Sequence, residues 1–254
     1  MIDRRCFITG IKSSNLSKKE KIFLKKYKPW GVILFSRNIK SIIQTKKLTE
    51  KIRKIFKDKN YPILIDQEGG RINRVRSIFN ADKLTGEYFG NLFLKDKKKF
   101  NNNYKIFINK TSHLLKQIGV NINTVPVLDI RKKRSSQIIG DRSFSSNPKI
   151  VNKIGNFCIN FFHKNNIGTV IKHIPGHGLA KVDSHKLTPI VKEKISYLKK
   201  NDFSTFKNKK SFFAMTAHII YSDIDKMHPA TQSKKIIKMI RKNIKFDNIL
   251  MSDD

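Results

Sequence analysis

The sequence predicts an α/β fold of the (β/α)8 TIM-type barrel class. Short, fully apolar runs of strand character alternate with Lys-rich stretches whose apolar residues recur three or four positions apart. Fully apolar runs are typical of strands in a buried parallel sheet, and the alternation is typical of strands that are each followed by a covering helix. The chain of 254 residues also has the length of one such barrel, which takes roughly 250 residues.

Seven strands and five helices are predicted in alternating order. The strands are expected at residues 6–9, 31–35, 62–65, 120–127, 169–171, 212–215 and 248–251. The helices are expected at residues 18–27, 42–56, 104–118, 150–165 and 234–244. Ser17 and the pair Asn147 and Pro148 suit helix starts, whereas Gly119 and Gly168 suit helix ends.

A single domain over residues 1–254 is predicted, because no linker, low-complexity tract or repeat divides the sequence. The last predicted strand leads to Asp253. The eighth strand and the last helices of a barrel are therefore expected to be absent from this sequence.

The chain is strongly basic, with 54 Lys and Arg against 19 Asp and Glu and a formal net charge of +35. Such a charge suggests nucleic-acid binding, but the lysines alternate with Ile, Leu and Phe at helical spacing, as on the solvated faces of amphipathic helices. The scarce carboxylates are more informative, because nine of the 19 follow closely on apolar strand-like runs. These nine are Asp66, Glu68, Asp129, Asp141, Asp183, Asp223, Asp225, Asp253 and Asp254.

Composition also bounds the compartment and the partners. No run approaches the roughly 18 apolar residues of a membrane span, and the first residues lack the apolar segment of a signal peptide. We therefore expect a cytoplasmic protein without a membrane span. We also expect a monomer that has no specific nucleic-acid partner, no cofactor and no metal. Cys6 and Cys158 each lie beside large apolar residues, and both are expected to be buried free thiols.

The segment with the densest chemistry is Lys-His-Ile-Pro-Gly-His-Gly-Leu-Ala-Lys-Val-Asp-Ser-His at residues 172–185. It follows directly on the apolar run at residues 168–171, and its proline and glycines exclude a regular helix. A polar loop at the end of a buried strand is where α/β enzymes place reactive groups.

Five segments occur in a characteristic order. They are Asp-Gln-Glu-Gly-Gly-Arg-Ile-Asn-Arg at 66–74, Gly-Asp-Arg-Ser-Phe at 140–144, Lys-His-Ile-Pro-Gly-His-Gly at 172–178, Asp-Ser-His at 183–185 and Met-Ser-Asp-Asp at 251–254. Together they resemble the motifs of glycoside hydrolase family 3, and especially its bacterial β-N-acetylglucosaminidases (β-N-acetylhexosaminidases) of peptidoglycan recycling. The resemblance implies a retaining exo-glycosidase that releases terminal β-1,4-linked N-acetylglucosamine from anhydromuropeptides.

The resemblance implies sugar binding for a set of polar residues, namely Asp66, Arg74, Arg142, Lys172 and His173. A strand-end carboxylate such as Asp66 can accept hydrogen bonds from two adjacent hydroxyls, and the fork of donors on Arg142 can reach a carbonyl or hydroxyl. Residue chemistry alone leaves structural alternatives open. In these, Asp66 caps a helix, Arg71 or Arg74 pairs with Glu68, and Arg142 pairs with Asp141.

Three residues are candidates for catalysis. Asp183 and His185 are two positions apart, so the carboxylate can accept the imidazole N–H and favour the protonated ring, which then serves as a general acid. Asp253 ends the last predicted strand. The resemblance implies that the Asp183–His185 dyad replaces the usual carboxylic acid and that Asp253 is the nucleophile, with His177 bracing the loop. Because the histidine is neutral after donating its proton, phosphate could compete with water, which makes phosphorolysis a further hypothesis.

Three other functions remain open at the level of sequence. A zinc hydrolase could use His173, His177, Asp183 and His185 as ligands, although no HExxH signature is present. A basic nucleic-acid-binding protein would use the net charge. A truncated, inactive glycosidase-like protein would expose the edges of its open barrel.

Overall fold

The structure is a computed structural model that describes residues 4–132, 137–182 and 187–253. Its strands are β1 (Arg5–Gly10), β2 (Pro29–Leu34), β3 (Ile63–Ile65), β4 (Gln67–Gly69), β5 (Ile72–Asn73), β6 (Ile122–Asn123), β7 (Gly168–Ile174), β8 (Ile190–Val191), β9 (Phe213–Thr216), β10 (Ile220–Tyr221) and β11 (Ile249–Met251). Its α-helices are α1 (Lys18–Tyr27), α2 (Ile42–Phe56), α3 (Gly86–Lys95), α4 (Lys97–Gln117), α5 (Pro148–Lys164), α6 (Ile195–Lys200) and α7 (Lys234–Met239). Short 3-10 turns lie at Ser36–Asn38, Gly140–Arg142 and Asp202–Phe206, and a π-helical turn lies at Ile240–Ile244.

Seven strands form one parallel sheet in the order β1-β2-β3-β6-β7-β9-β11, which is also their order along the chain. At least one α-helix lies between each strand of this sheet and the next. The predicted parallel α/β architecture is therefore confirmed. None of the described helices combines the length and the hydropathy that crossing a bilayer requires.

The sheet is curled into a half-barrel. Leu64, Ile122, Val170 and Met215, one each from β3, β6, β7 and β9, form a hydrophobic cluster separate from the main core. Trp30 of β2 packs with Phe213 of β9 at 5.4 Å between ring centroids. In a flat sheet these two strands would be about 19 Å apart, at about 4.8 Å per strand. Their contact requires curvature, and we call the four buried residues with their partly buried neighbours, including Met251, the concave cluster.

The convex face of the sheet carries the main core. Val32, Leu34, Ile63 and Ile65 point to this face and are fully buried with residues of the covering helices. Because strand side chains alternate between faces, Ile63 and Ile65 pack outward while Leu64 between them packs inward. The same alternation places the side chains just beyond each strand end.

Two helix starts agree with the sequence prediction. The Ser17 hydroxyl accepts the N–H of Glu20, whose carboxylate accepts the N–H of Ser17, which is a capping box. Asn147 caps α5 through the N–H of Lys149, with Pro148 as the first helical residue. The bounds of α1 and α2 also match the predicted residues 18–27 and 42–56.

The predicted strand at residues 120–127 is wrong in extent. Only Ile122–Asn123 pairs as a strand, and beyond it Val127 makes an isolated bridge to Lys172. Pro126 lies in this stretch and has no backbone N–H to donate to a ladder. The apolar run therefore extends beyond the strand that it contains.

Other boundaries also differ from the prediction. The helix expected at residues 104–118 begins at Lys97 with Asp96 as its cap, because the lysines of its first turn hide the apolar periodicity. Helices α3 and α6 were not predicted. Gly168 does not end α5 but begins β7, and Asn166 takes the left-handed conformation with φ 57° after the helix. The predicted helix at residues 234–244 changes to a π-helical turn after Met239.

The prediction of two buried thiols holds for one cysteine only. Cys158 on α5 is buried, whereas Cys6 is exposed. Cys6 lies on β1, which pairs with β2 alone among the described strands. An edge strand leaves more of its side chains in solvent than a central one.

Helix α3 makes a very close approach to the segment that carries Arg142. A Cβ on Gly86 would lie 2.1 Å from the Arg142 carbonyl oxygen, and one on Gly90 would lie 1.6 Å from the Phe144 carbonyl oxygen. The two glycines are four residues apart and share one helix face. They let α3 press against the backbone around Arg142.

Gly90→Ala is expected to lower the free energy of unfolding by about 1–3 kcal/mol, because the added methyl group overpacks this contact. The measurement is chemical denaturation of the parent and the variant. Asn91→Ala is the matched control, since Asn91 is exposed on the same helix and alanine favours helix. Equal stability of Gly90→Ala and Asn91→Ala would contradict the close packing.

Candidate active site

Polar side chains form a layer directly above the concave cluster, at the carboxyl ends of the strands. Asp66, Thr124 and Lys172 each lie two residues beyond a member of that cluster, on β3, β6 and β7. Strand alternation therefore turns all three toward the concave side. Asp253 lies two residues beyond Met251 of the same cluster, which gives it the same inward direction.

Lys172 is the centre of this layer. Its Nζ lies 2.7 Å from Glu68 Oε1, 3.2 Å from Asp66 Oδ1 and 3.1 Å from Thr124 Oγ1. The residue is only 2% exposed. Burial alone would lower the pKa of Lys172, but the carboxylates of Asp66 and Glu68 outweigh burial and raise it. The ammonium group therefore stays charged, with each of its three N–H bonds taken up.

Glu68 joins Lys172 to Arg142. The Arg142 guanidinium binds Glu68 in a two-pronged contact, with Nε 2.8 Å from Oε2 and Nη2 2.9 Å from Oε1. Burial would raise the pKa of Glu68, but Arg142 and Lys172 lower it to about 2. Burial likewise opposes the charge of Arg142, and Glu68 more than compensates, so the pKa of Arg142 is raised. We call Asp66, Glu68, Arg142 and Lys172 the mouth cluster.

Asp66 lies at the solvent side of the mouth cluster. It contacts the Thr124 hydroxyl, and its Oδ2 lies 3.3 Å from Arg74 Nη2. Burial would raise the pKa of Asp66, but Lys172, Thr124 and Arg74 together hold it well below its usual range. The Arg74 side chain keeps 28% of its surface exposed, so Arg74 borders the cluster on the side open to a ligand.

Two of the structural alternatives drawn from the sequence are wrong. Arg142 does not pair with Asp141, because Asp141 binds Arg71 at 3.1 Å. Glu68 pairs with neither Arg71 nor Arg74 but with Arg142 and Lys172. Sequence proximity suggested the wrong partners, since Glu68 and Arg142 are 74 positions apart.

A second buried carboxylate, Asp129, holds the loop after β7. It accepts the His173 N–H at 3.2 Å, His173 Nδ1 at 2.7 Å and the His177 N–H at 2.6 Å. Burial would raise the pKa of Asp129, but the two histidines lower it. In the sequence, Asp129 is distinguished only as one of nine acids that follow apolar runs.

His177 lies against His173, with ring centroids 5.4 Å apart. Burial lowers the pKa of His177 to about 4, and His173 adds to this effect, whereas Asp129 and Asp253 act in the opposite direction. His177 is therefore neutral near pH 7. The influence of Asp253 on His177 indicates that the end of β11 faces the loop after β7.

Asp183 and His185, the predicted dyad, lie outside the described residues, so their roles stay predictions. Two of the four ligands of the alternative zinc site are these same residues. Of the other two, His173 already uses Nδ1 to bind Asp129. The structure thus brings together Asp66, Arg74, Lys172 and Arg142, and places His173 beside them through Lys172.

One further buried acid, Asp202, has no signature in the sequence. It begins the 3-10 turn Asp202–Phe206, is 1% exposed, and neither of its carboxylate oxygens has a hydrogen-bond partner among the described residues. Burial raises the pKa of Asp202 to about 6, with Asp129 and Glu193 adding to the effect and Lys132 opposing it. Its Oδ1 would lie 3.2 Å from a Cβ on Gly178, so it lies under the loop after β7.

Comparison with known proteins identifies relatives for this arrangement. Residues 7–254 match the Glycosyl hydrolase family 3 N terminal domain. A beta-hexosaminidase of Hydrogenovibrio crunogenus is 29% identical over 252 residues, covering 98% of this chain and 70% of that protein. One of Actinobacillus pleuropneumoniae is 31% identical, covering 97% of this chain and 71% of that protein. One of Pseudomonas aeruginosa is 28% identical, and this chain spans 65% of its length.

Solved structures show the same fold. NagZ from Neisseria gonorrhoeae, in complex with N-trifluoroacetyl-D-glucosamine, superposes with a TM-score of 0.89 at 27% identity, covering 100% of this chain and 75% of that chain. The beta-N-acetylglucosaminidase from Thermotoga maritima gives a TM-score of 0.80 at 26% identity, with 97% of this chain and 51% of that chain covered. The resemblance that the motifs indicated is confirmed.

Glu68→Gln is expected to lower the free energy of unfolding at pH 7 by about 3–5 kcal/mol, because it leaves two buried cations short of one negative charge. The folded pKa of Glu68, about 2, lies below its unfolded value of about 4.3. The contribution of Glu68 is therefore present above the unfolded pKa and is lost as pH falls toward the folded pKa. Denaturation curves between pH 7 and pH 2.5 measure this difference.

Glu50→Gln is the matched control for Glu68→Gln. Glu50 pairs with Lys46 at 4.0 Å on the surface, with 58% of its side chain exposed, and an exposed pair contributes only about 0–1 kcal/mol. A cost for Glu68→Gln as small as that for Glu50→Gln would show that the mouth cluster does not stabilise the fold.

Asp202→Asn is expected to change how stability depends on pH. The folded pKa of Asp202, about 6, is raised above its unfolded value, so the stability contributed by its neutral form is present below pH 4 and lost as pH rises through 6. The parent should lose stability relative to the variant by on the order of 3 kcal/mol between pH 4 and pH 7. Asp247→Asn is the control at an exposed position, and its stability should depend on pH as that of the parent does. The same pH dependence in Asp202→Asn would contradict the raised pKa of Asp202.

Proposed function

The chain belongs to glycosyl hydrolase family 3, whose N-terminal domain matches residues 7–254, and we propose that it is a retaining exo-glycosidase that releases terminal β-1,4-linked N-acetylglucosamine. The beta-hexosaminidase names of its relatives and the N-acetylglucosamine analogue bound to the N. gonorrhoeae protein support this substrate. The chain spans 64–70% of the length of the first relatives it matches. The mouth cluster is the observation that carries the proposal.

The mouth cluster has the chemistry to bind a sugar edge. Asp66 is an ionised acceptor beside the donor Lys172, at 3.2 Å, and the pair lies where the strand ends meet. Two adjacent hydroxyls offer O–H donors to Asp66 and oxygen acceptors to Lys172. A sugar can therefore replace the direct contact between the two charges without leaving either unpaired, which keeps the desolvation penalty small.

Arg74 and Arg142 complete the proposed binding site. Arg74 has an exposed edge and contacts Asp66, so it can donate to the same sugar. Arg142 is fixed by Glu68 through two bonds, and its remaining N–H groups can bind a carbonyl or hydroxyl of the substrate. His173 is the fifth proposed binding residue, adjacent to Lys172 at the end of β7.

We assign Asp253 the role of nucleophile. Its carboxylate attacks the anomeric carbon while protonated His185, held by Asp183, gives its proton to the leaving oxygen. The aglycone departs and a covalent glycosyl-enzyme forms. Neutral His185 then takes a proton from water, whose oxygen displaces Asp253 from the anomeric carbon. Two inversions give net retention, and His177, neutral near pH 7, is not a competing acid.

The proposal has finer parts. The anhydromuropeptide substrate rests on the family resemblance, whereas the cytoplasmic location and the single domain over residues 1–254 rest on composition and on the lack of a linker in the sequence. A monomeric state also stays a prediction. The (β/α)8 barrel class also stays a prediction. It is supported by seven parallel strands in sequential order and by the curvature of their sheet.

Hydrolysis of a chromogenic β-N-acetylglucosaminide by the 254-residue chain tests the proposal. Asp253→Asn and His185→Ala are each expected to lower kcat by at least about 100-fold, the contribution of a positioned acid or nucleophile. Asp247→Asn is the control and should match the parent, and EDTA should have no effect. Sugar 1-phosphate formed on addition of phosphate would indicate phosphorolysis.

Two results would contradict the proposed function. Equal rates for the parent, Asp253→Asn and His185→Ala would remove the mechanism. A parent chain that neither cleaves the substrate nor binds N-acetylglucosamine would remove the sugar-binding role of the mouth cluster as well.

A further inference from the structure

Asp129 lies between the end of β7, which carries Lys172 and His173, and the turn at His177. It follows Leu128, whose N–H donates to the Lys172 carbonyl, and its carboxylate is buried at 1% exposure. Among the described residues it receives N–H groups from His173 and His177 only, through the three bonds described above. Neither the sugar-binding residues nor the catalytic residues proposed above include it.

We propose that Asp129 is the positioning residue of this site: it keeps the proton of His173 on Nδ1, so that Nε2 faces the substrate, and it fixes the turn at His177. This inference deepens the proposed function and rests on it, because His173 is one of the proposed sugar-binding residues. Asp129 itself has no contact with the substrate in this proposal.

The position of the proton follows from the hydrogen-bond geometry. An ionised carboxylate only accepts hydrogen bonds, and the two histidines lower the pKa of Asp129 despite its burial. His173 Nδ1 lies 2.7 Å from Asp129 Oδ2, so Nδ1 must be the donor. Nε2 has no hydrogen-bond partner among the described residues. In the neutral ring it is an acceptor, suited to the O–H of a sugar hydroxyl.

The same carboxylate orders the backbone of the loop. Asp129 Oδ1 accepts the His177 N–H at 2.6 Å, while the Tyr221 hydroxyl contacts the Gly176 carbonyl from the other side. Asp183 and His185 follow in the sequence. Asp129 thus links the strand end that carries Lys172 and His173 to the backbone at His177.

An amide at this position has a definite effect on the histidine. In Asp129→Asn one oxygen remains to accept the His177 N–H, and the NH2 group faces His173 Nδ1. Two donors cannot bond to each other, so His173 Nδ1 must give up its proton and accept from the amide. The ring then carries its proton on Nε2 and presents a donor, where the parent presents an acceptor.

Nuclear magnetic resonance of ¹⁵N-histidine-labelled protein reads this proton directly. Two-bond ¹⁵N–¹H correlations at about pH 8.5, above the ordinary histidine pKa of about 6.5, distinguish the two neutral tautomers. We expect the His173 ring to be protonated on Nδ1 in the parent and on Nε2 in Asp129→Asn, with His173→Gln identifying its signals. Protonation on Nε2 in the parent would overturn the inference, as would protonation on Nδ1 in both proteins.

This measurement needs no enzymatic activity, so its failure is distinct from failure of the proposed glycosidase function. The parent spectrum alone tests the tautomer, so the test survives even if Asp129→Asn folds poorly. Asp247→Asn, with an exposed carboxylate, is the matched control and should leave the His173 signals unchanged.

A double-mutant cycle separates positioning from a general effect on the fold. Asp129→Asn is expected to lower kcat/KM by about 10- to 100-fold, the usual consequence of a mismatched buried hydrogen bond. In the His173→Ala background the same change should cost much less, because its main target is gone. If the fold-losses in kcat/KM of the two single variants multiply in the double variant, Asp129 does not act through His173 and the inference is overturned.

Discussion

The structure depends on the ion pairing of Lys172, a buried ammonium group between two carboxylates. A buried charge is tolerated only when partners compensate for lost water, and here the compensation is complete. Asp66 and Glu68 supply two negative charges, and Lys172 and Arg142 supply two positive ones. The pairing joins Asp66 after β3, Glu68 on β4, Lys172 on β7 and the 3-10 turn at Arg142.

The position of these charges follows from the alternation of strand side chains. Strands β3, β6 and β7 each contribute an apolar residue to the concave cluster, and two residues later comes a polar residue of the layer above it: Asp66, Thr124 or Lys172. The apolar layer excludes water from below and strengthens the electrostatic interactions above it. Below the loop after β7, Asp129 accepts three N–H bonds and holds both histidines. The site is thus a polar layer between a hydrophobic floor and solvent.

Much of this could be predicted from the sequence, because the signals were local. The Ser17 and Glu20 cap, the bounds of α1 and α2, and the acid that follows β3 each lie within a few residues of the pattern that predicts them. Contacts between distant residues could not be predicted. Glu68 meets Arg142 across 74 positions and Asp129 meets His173 across 44, and neither spacing has a sequence signature. Helix α3 was missed because its glycines suggest a loop, although packing against Arg142 requires them.

A crystal structure of the chain with bound N-acetylglucosamine tests the central claim most directly. We expect the sugar to lie on the mouth cluster, with two adjacent hydroxyls within hydrogen-bond distance of Asp66 and Lys172, and the Glu68–Arg142 pair to stay intact beneath it. A sugar bound elsewhere on the molecule, or one on the mouth cluster with no contact to either Asp66 or Lys172, would contradict this expectation.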